Sequence, residues 1–474
     1  MTARAPAGRG AAGRPRPGRG LAVTPARAAA AAVLADLRGG ALLDGAFERR
    51  AAALDPRDRR WLQELVWGTL RRRAWLDAML ADRVRGGLLR LDADVVDLLR
   101  LGAYQLVVMA SVPAYAAIGE TVELAKTRAG HGAGALTNAV LRRVDRERGA
   151  EGAPAVALPD DPLERLALEQ SHPLWLVTRW AERWGMESTA VLLRANNAEA
   201  PVVARPYGVS AAALVEELKG SGVATEPPPE GAAWPADSVR LARGAALGTL
   251  FGRAASTEGP VVGQHMHVQD PASTFVTLYT AFPAGATVAD VCAAPGGKAL
   301  ELARTAGAVY AGDRSPARLA RVRANVARLR APNVFPYAGD VLHAPLRPVD
   351  AVLVDAPCTG TGTLRRHPDA RWRLKPSDVA VMSATQHGIL RAAAELVRPG
   401  GLLVYSTCSI ETEENDGVVD RFLAEHDGEW TLEPPPSGTV PDAVLDGGRL
   451  RVLPQRHGVD GAFAARLRRA ETAA

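Results

Sequence analysis

Cys408 stands in Leu403-Val-Tyr-Ser-Thr-Cys408-Ser-Ile410, an apolar run that ends in hydroxyl residues around one thiol. The acidic run Glu411-Thr-Glu-Glu414-Asn415 follows at once and reads as the start of a helix. A thiol at the C-terminal edge of a strand, ahead of a helix N-terminus, is placed to ionise and act as a nucleophile. Taken alone, it is equally a small core side chain. Cys358 closes Asp355-Ala-Pro-Cys358, where Pro357 stiffens the turn and Thr359-Gly-Thr-Gly362 offers a flexible polar exit. Cys292 lies in Asp290-Val-Cys292-Ala-Ala-Pro-Gly-Gly-Lys298. Three cysteines cannot pair fully, and no Cys-x-x-Cys or histidine spacing suggests zinc or another metal. Each sits where a strand gives way to a loop, which favours chemistry over packing.

Gly296 and Gly297 would let a ligand approach the backbone at a helix N-terminus. Their loop lacks the spacing of a phosphate-cradling or dinucleotide motif. The next strand ends in Gly312-Asp313, where an acid can take a ribose diol. Asp313 is equally read as a helix cap ahead of Pro316. The third strand is followed by Gly339-Asp340, an acid placed for a base or ribose edge. One glycine loop and two strand-end acids, without a diphosphate cradle, suit an adenosyl ligand such as S-adenosylmethionine better than NAD. Beyond Cys358 lie Arg365, Arg366, Arg371 and Arg373, with His367 and Trp372 among them. Cations interleaved with an aromatic ring suit single-stranded nucleic acid, and suit a solvated basic loop as well.

The elements that must position these residues begin near 268. Strand patterns over Ala286–Cys292, Ala308–Gly312, Asn333–Tyr337, Ala351–Asp355 and Leu402–Tyr405 alternate with helical ones over Gly297–Arg304, Pro316–Leu329 and Pro376–Val397. Pro399-Gly400-Gly401 reads as the turn into the last strand. Such alternation means a parallel sheet covered by helices, with ligands at the C-terminal strand ends. The Cys358 and Cys408 strands are expected to be neighbours, so that the two thiols converge.

Before that, residues 24–147 carry only helical patterns, from Thr24-Pro25 and Asp55-Pro56 onward. Trp61, Trp67 and Tyr104 fit a core; Arg71-Arg72-Arg73 and Arg142-Arg143 fit solvated helix ends. Arg146–Pro162 reads as a linker, and 163–265 as a small helical and α+β domain. The formal net charge is +5. Met1–Gly20 carries that much alone, through Arg4, Arg9, Arg14, Arg16 and Arg19 without an acid. This leader, 1–23, reads as disordered and could touch phosphates. No apolar run is long enough to span a bilayer, and Asp36 and Arg38 cut short the signal-like stretch Ala28–Ala35. A cytoplasmic protein is expected.

Pro357-Cys358 with Thr407-Cys408 resembles the two-cysteine signature of RNA cytosine-C5 methyltransferases. Val268-Gln-Asp-Pro-Ala-Ser273, Ala293-Ala-Pro-Gly-Gly-Lys298, Asp355-Ala-Pro-Cys-Thr-Gly-Thr-Gly362 and Tyr405-Ser-Thr-Cys-Ser409 resemble its successive motifs. Leu453-Pro-Gln-Arg-His457-Gly-Val-Asp460-Gly461-Ala-Phe463 resembles its closing strand pair. Asp55-Pro-Arg-Asp-Arg, Leu101-Gly-Ala-Tyr-Gln105 and Asn138-Ala-Val-Leu-Arg-Arg143 are similar to a NusB-like RNA-binding domain. The pairing points to the RsmB (Sun/Fmu) branch, which acts on 16S ribosomal RNA. The leader and Val202–Ala255 lie outside the resemblance.

The resemblance implies an all-α domain over 24–147, a linker domain over 163–265 and a Rossmann-like methyltransferase domain over 266–472. It implies that Cys408 attacks C6 of the target cytosine, that Cys358 assists C5 proton removal and adduct release, and that Asp355 holds the cytosine edge. Cys292, Ala293, Ala294, Pro295, Gly296, Gly297, Lys298, Asp313, Asp340 and Asp355 would line the S-adenosylmethionine and base pocket. The partner would be 16S ribosomal RNA or a small-subunit assembly intermediate, bound by a monomer without metal or membrane. Two other readings stay open: the same chemistry on transfer RNA or another ribosomal site, and a non-catalytic RNA-binding assembly or antitermination factor. Intact Asp355, Cys358 and Cys408 speak against the latter.

Overall fold

Apolar residues at helical spacing fill the first of two units, Met1–Thr69 with Leu76–Val156. The computed structural model describes residues 22–149, 152–245 and 262–471, so the expectation for the Arg-rich leader falls outside the described residues, apart from its last two positions. Helices run over Pro25–Arg38, Leu43–Ala51 and Ala93–Val107. Leu62, Leu65 and Val66 form the buried face of the helix that starts at Pro56. Ala114–Glu147 is two helices joined across a kink at Gly130, where φ reaches 89°. Trp67 and Tyr104 are buried as expected; Trp61 is half-buried, with the Arg27 guanidinium 4.8 Å from its ring centre. Arg27 pairs with Glu120 at 2.9 Å, and Thr24 gives Glu120 both its amide and its hydroxyl instead of capping the helix it precedes.

The second unit takes Leu70–Trp75 and Ala157–Ala474. Its smaller sheet is antiparallel, in the order β2 (Thr225–Glu226), β3 (Val239–Leu241), β1 (Val203–Pro206), β4 (Met266–Val268). The helix Ala211–Gly220 buries Leu214 and Leu218 in the same small core as Ala204 and Met266.

The larger sheet contains β5 (Thr287–Asp290), β6 (Ala308–Asp313), β7 (Val334–Ala338), β8 (Val349–Asp355) and β9 (Val397–Thr407), all parallel. Along β8, Ala351 and Leu353 face one apolar cluster and Val352 and Val354 the other. Burial on both faces is why this strand reads as an unbroken apolar run. Spatial order is β9-β8-β5-β6-β7. The chain therefore steps outward from β5, then returns to its other side, and the crevice between β5 and β8 is a topological switch point.

Pro399-Gly400-Gly401 is not a turn. β9 passes through it, and a register shift against β8 between Val349 and Ala351 absorbs the irregularity. Gly400 has φ 70°, and a Cβ on Gly401 would lie 2.8 Å from the Asp350 carbonyl oxygen. The sheet is completed by β10 (Trp430–Leu432), β11 (Leu445–Asp446), β12 (Arg449–Val452) and β13 (Ala462–Arg469), with β13 antiparallel between β12 and β9. Among the described residues no helix is long and apolar enough to cross a membrane.

Candidate active site

β5 and β8 run side by side, with Asp290 opposite Leu353, so their C-terminal ends open into the same crevice. A cavity of about 500 Å³ lies there. Of the residues the sequence singled out, Ala293, Ala294, Pro295, Gly297, Lys298 and Asp355 line it. Gly296 makes the left-handed turn, φ 107°, into the short helix Gly297–Leu302. A Cβ on Gly297 would come within 2.5 Å of Gln269 Oε1, so a side chain there would displace that amide.

Cys292, Gly296, Asp313 and Asp340 are not among the residues lining the cavity. Cys292 packs against the core under the sheet, and burial, then the charges of Asp290, Asp355 and Asp313, push its thiol far above the usual range. Asp313 is buried; one oxygen accepts the Ser315 amide at 2.8 Å and the other lies 3.7 Å from Arg318. Asp340 is exposed and accepts the Leu342 amide at 3.1 Å, capping the turn Val341–His343.

Asp355 is held at both oxygens: Lys298 Nζ donates to Oδ2 at 2.8 Å and the Ser406 hydroxyl to Oδ1 at 3.0 Å. Burial alone would lower the Lys298 pKa. The charge and hydrogen bond of Asp355, with smaller pulls from Cys408 and Asp290, outweigh it and keep the ammonium protonated.

Asp290 is assigned no role by the sequence alone. It is fully buried in the cavity wall, and neither carboxylate oxygen makes a hydrogen bond. Burial, then the charge of Asp355, pushes it up to about 7, with partial relief from Lys298 and the nearby Cys292 amide. Such a carboxyl keeps its proton where the unfolded chain has lost it, so this unit should lose stability as pH rises from about 4 to about 7. Asp290→Asn should abolish that loss, stabilising the apo protein at pH 8 by up to about 4 kcal/mol. Urea unfolding at pH 5 and pH 8 tests this; identical pH dependence in both proteins would contradict it.

Cys358 and Cys408 do converge, with 3.2 Å between their sulfurs. The hydrogen bond with Cys408, then burial, then the charges of Cys408 and Glu414, hold the Cys358 thiol well above its ordinary pKa. Thr359-Gly-Thr-Gly362 is not a flexible exit. Thr361 is fully buried, the Gly362 amide donates to the Cys408 carbonyl at 3.0 Å, and the Gly461 amide donates to Gly362 at 2.7 Å. A Cβ on Gly362 would sit 2.6 Å from the Cys408 carbonyl oxygen. Close backbone approach, not mobility, is why glycine is there.

Two further expectations are corrected. The run after Cys408 does not start a helix: a single 3-10 turn, Thr412–Glu414, intervenes and the helix begins at Asp416. Glu411 instead accepts the Trp180 indole at 3.0 Å and pairs with Arg179. Of the cations beyond Cys358, Arg373 stays exposed and pairs with Asp369 at 3.0 Å, while Arg365, Arg366 and Arg371 turn onto internal partners. Arg365 pairs with Asp270 and Asp460, and Arg366 reaches both acids at 2.6 Å. Arg371 is fully buried and donates to the Asn196 carbonyl at 3.0 Å and Asn197 Oδ1 at 2.7 Å. Trp372 donates to the Leu70 carbonyl at 2.8 Å, and Arg71 to that of Arg365 at 3.0 Å. These side chains bind the Cys358 loop to its own unit. Among the described residues no cluster of three or more His, Cys, Asp or Glu could hold a metal.

The geometry matches known proteins along nearly the whole chain. Residues 280–468 match the family described as 16S rRNA methyltransferase RsmB/F, 24–146 the NusB family, and 172–246 the ferredoxin-like domain of RsmF/B-like methyltransferases. The last of these supplies a likeness for much of the stretch in which the sequence alone suggested none. The probable ribosomal RNA small subunit methyltransferase B of Bacillus subtilis is 34% identical over 88% of this chain and 92% of its own. The ribosomal RNA small subunit methyltransferase B of Pseudomonas syringae pv. tomato is 33% identical over 94% of this chain and 97% of its own. The crystal structure of PH0851 shares the fold with a TM-score of 0.74, covering 95% of this chain and 100% of that one at 24% identity. The chain therefore belongs to the RsmB/F methyltransferase family, with NusB and ferredoxin-like domains ahead of its methyltransferase domain.

Proposed function

We propose that this protein methylates C5 of one cytosine in 16S ribosomal RNA, using S-adenosylmethionine and a covalent cysteine–C6 adduct. The observation that carries this reading is the pair of sulfurs, 3.2 Å apart, on the loops next to the Lys298–Asp355 pair at the cavity. The relatives named ribosomal RNA small subunit methyltransferase B support the choice of RNA.

The residues present fit the cofactor. The cavity offers room bounded by a glycine turn, and the unpartnered Asp290 carboxyl suits a ligand that carries positive charge. Ala293–Lys298 would hold it, with Asp313 and Asp340 at the ends of the next two strands. When bound, S-adenosylmethionine supplies an electrophilic methyl group to the activated C5.

The chain's own residues do the rest. The target base leaves its stack to reach the thiol. The Cys408 thiolate adds to C6, forming an S–C bond and moving the C5–C6 electron pair toward C5 and the N3 side of the ring. Asp355, oriented by Lys298 and Ser406, accepts a hydrogen bond from the N4 amino group and so holds the N3/N4 edge of the ring. Once C5 carries its methyl group, Cys358, having given its own proton to solvent, takes the C5 proton as thiolate. The C6–S bond then breaks, the ring recovers its double bond, and Cys408 leaves as thiolate.

Bisulfite mapping of ribosomal RNA from cells with and without the protein tests the reading. One 16S cytosine should lose its protection when the protein is absent. Unchanged 16S protection would sink it, and a loss confined to transfer RNA would reassign the substrate.

A further inference from the structure

Glu414 has no role in the mechanism just described, yet it is completely buried beside it. Its Oε2 accepts the Thr359 amide at 2.9 Å and Gln386 Nε2 at 2.8 Å. Its Oε1 accepts the Ser409 hydroxyl at 2.7 Å and the Thr359 hydroxyl. These four donors occupy the four lone-pair sites that a carboxylate offers. Thr359 is the residue after Cys358, and Ser409 is the residue after Cys408. Gln386 also donates to the Pro357 carbonyl at 2.9 Å, on the other side of Cys358. The backbone of the clamp is itself fixed, because the Tyr405 hydroxyl donates to the Glu414 carbonyl at 2.6 Å. Asn415 continues the staple, donating to the Ser409 carbonyl at 2.9 Å and accepting the Thr407 hydroxyl at 2.6 Å.

We propose that Glu414 is a positioning residue that ties the loop after Cys358 to the loop after Cys408 and so sets the separation of the two sulfurs. An acid suits the task better than its amide. Glutamine has one acceptor oxygen, so its NH₂ would face either the donors Thr359 N–H and Gln386 Nε2 or the Thr359 and Ser409 hydroxyls, which would then have to accept instead of donate. The position of the charge also matters: it adds to the hydrogen bond from Cys408 and to burial in keeping Cys358 a thiol. Cys358 thereby starts as a thiol although the two sulfurs touch.

This inference rests on the cysteine chemistry proposed above, and the test separates the two. In the full-length protein, Glu414→Gln should lower kcat by about 100-fold while KM for RNA and Kd for S-adenosylmethionine stay within about two-fold. Thr359→Val and Ser409→Ala each remove one hydroxyl donor but keep the carboxylate, and should lower kcat by about ten-fold. Iodoacetamide labelling followed by mass spectrometry should show Cys358 alkylated at lower pH in Glu414→Gln than in the parent. Unchanged kcat, cofactor affinity lost in step with activity, or an unaltered alkylation profile would each overturn the proposal. If Glu414→Gln fails to fold, unchanged kcat in both hydroxyl variants overturns it instead. A dead Cys408→Ala beside a fully active Glu414→Gln refutes the clamp alone. An active Cys408→Ala refutes the cysteine chemistry, and the alkylation profile, which needs no RNA, still decides the clamp.

Discussion

Cys408→Ala is expected to lower methyl transfer to a 16S RNA fragment by on the order of 10⁴–10⁶-fold, the usual consequence of deleting a covalent nucleophile. Cofactor affinity should be unchanged, because the cavity wall includes Ala293, Ala294, Pro295, Gly297, Lys298, Asp290 and Asp355 but not Cys408. Folding should also survive. The backbone at Cys408 is pinned by its carbonyl, which accepts the Gly362 amide at 3.0 Å, and alanine keeps that bond. Cys408→Ser should be nearly as inactive, since a hydroxyl is far less acidic than a thiol. Methyl transfer from labelled cofactor, run beside calorimetric titration of S-adenosylmethionine, separates chemistry from binding. A Cys408→Ala protein that keeps even a tenth of the parent rate would rule out Cys408 as nucleophile. The helix that follows does not abut the thiol, because it begins beyond Asn415.

The sheet was legible because parallel strands buried on both faces leave long apolar runs, as in Ala351–Val354, and because strand-end glycines and acids punctuate them. The convergence of Cys358 and Cys408 followed from neighbouring strands alone. What stayed hidden was direction. Arg365, Arg366 and Arg371 look like a basic surface until their acidic and carbonyl partners are seen, and those partners come from Asp270, Asp460 and Asn196–Asn197, far away in sequence. Glu414 sits in an acidic run whose other members face outward or pair with Arg179. No local spacing distinguishes a buried clamp from a solvated acid. Asp290 is illegible for the opposite reason: an acid near a strand end is ordinary, and only its missing partners make it notable. The Pro-Gly-Gly signal misled because a β-bulge and a turn ask for the same residues.

Cys358→Ala should convert a transient adduct into a trapped one. Under the proposed mechanism this variant keeps Cys408, adds it to C6 and delivers the methyl group to C5, but lacks the group that removes the C5 proton. Without that step the C6–S bond cannot eliminate, and a covalent protein–RNA band should persist on denaturing gels. It should be stoichiometric with enzyme, require S-adenosylmethionine for the methylated form, and vanish in the Cys358→Ala/Cys408→Ala double variant. Under the same mechanism Cys358 must be a thiol at the start and a base later. The largest influence raising the Cys358 pKa is its hydrogen bond with Cys408, and the Cys408 charge adds to it. Once the Cys408 sulfur is bonded to carbon it carries no charge and is a poor acceptor, so both influences fade and the Cys358 pKa falls when a base is needed. The sign is testable: in single turnover, release of methylated RNA should rise with pH through a midpoint below that for alkylation of Cys358 in the free protein. Coincident midpoints would remove this account of the timing, and a Cys358→Ala protein that turns over without any trapped adduct would assign proton removal to another group.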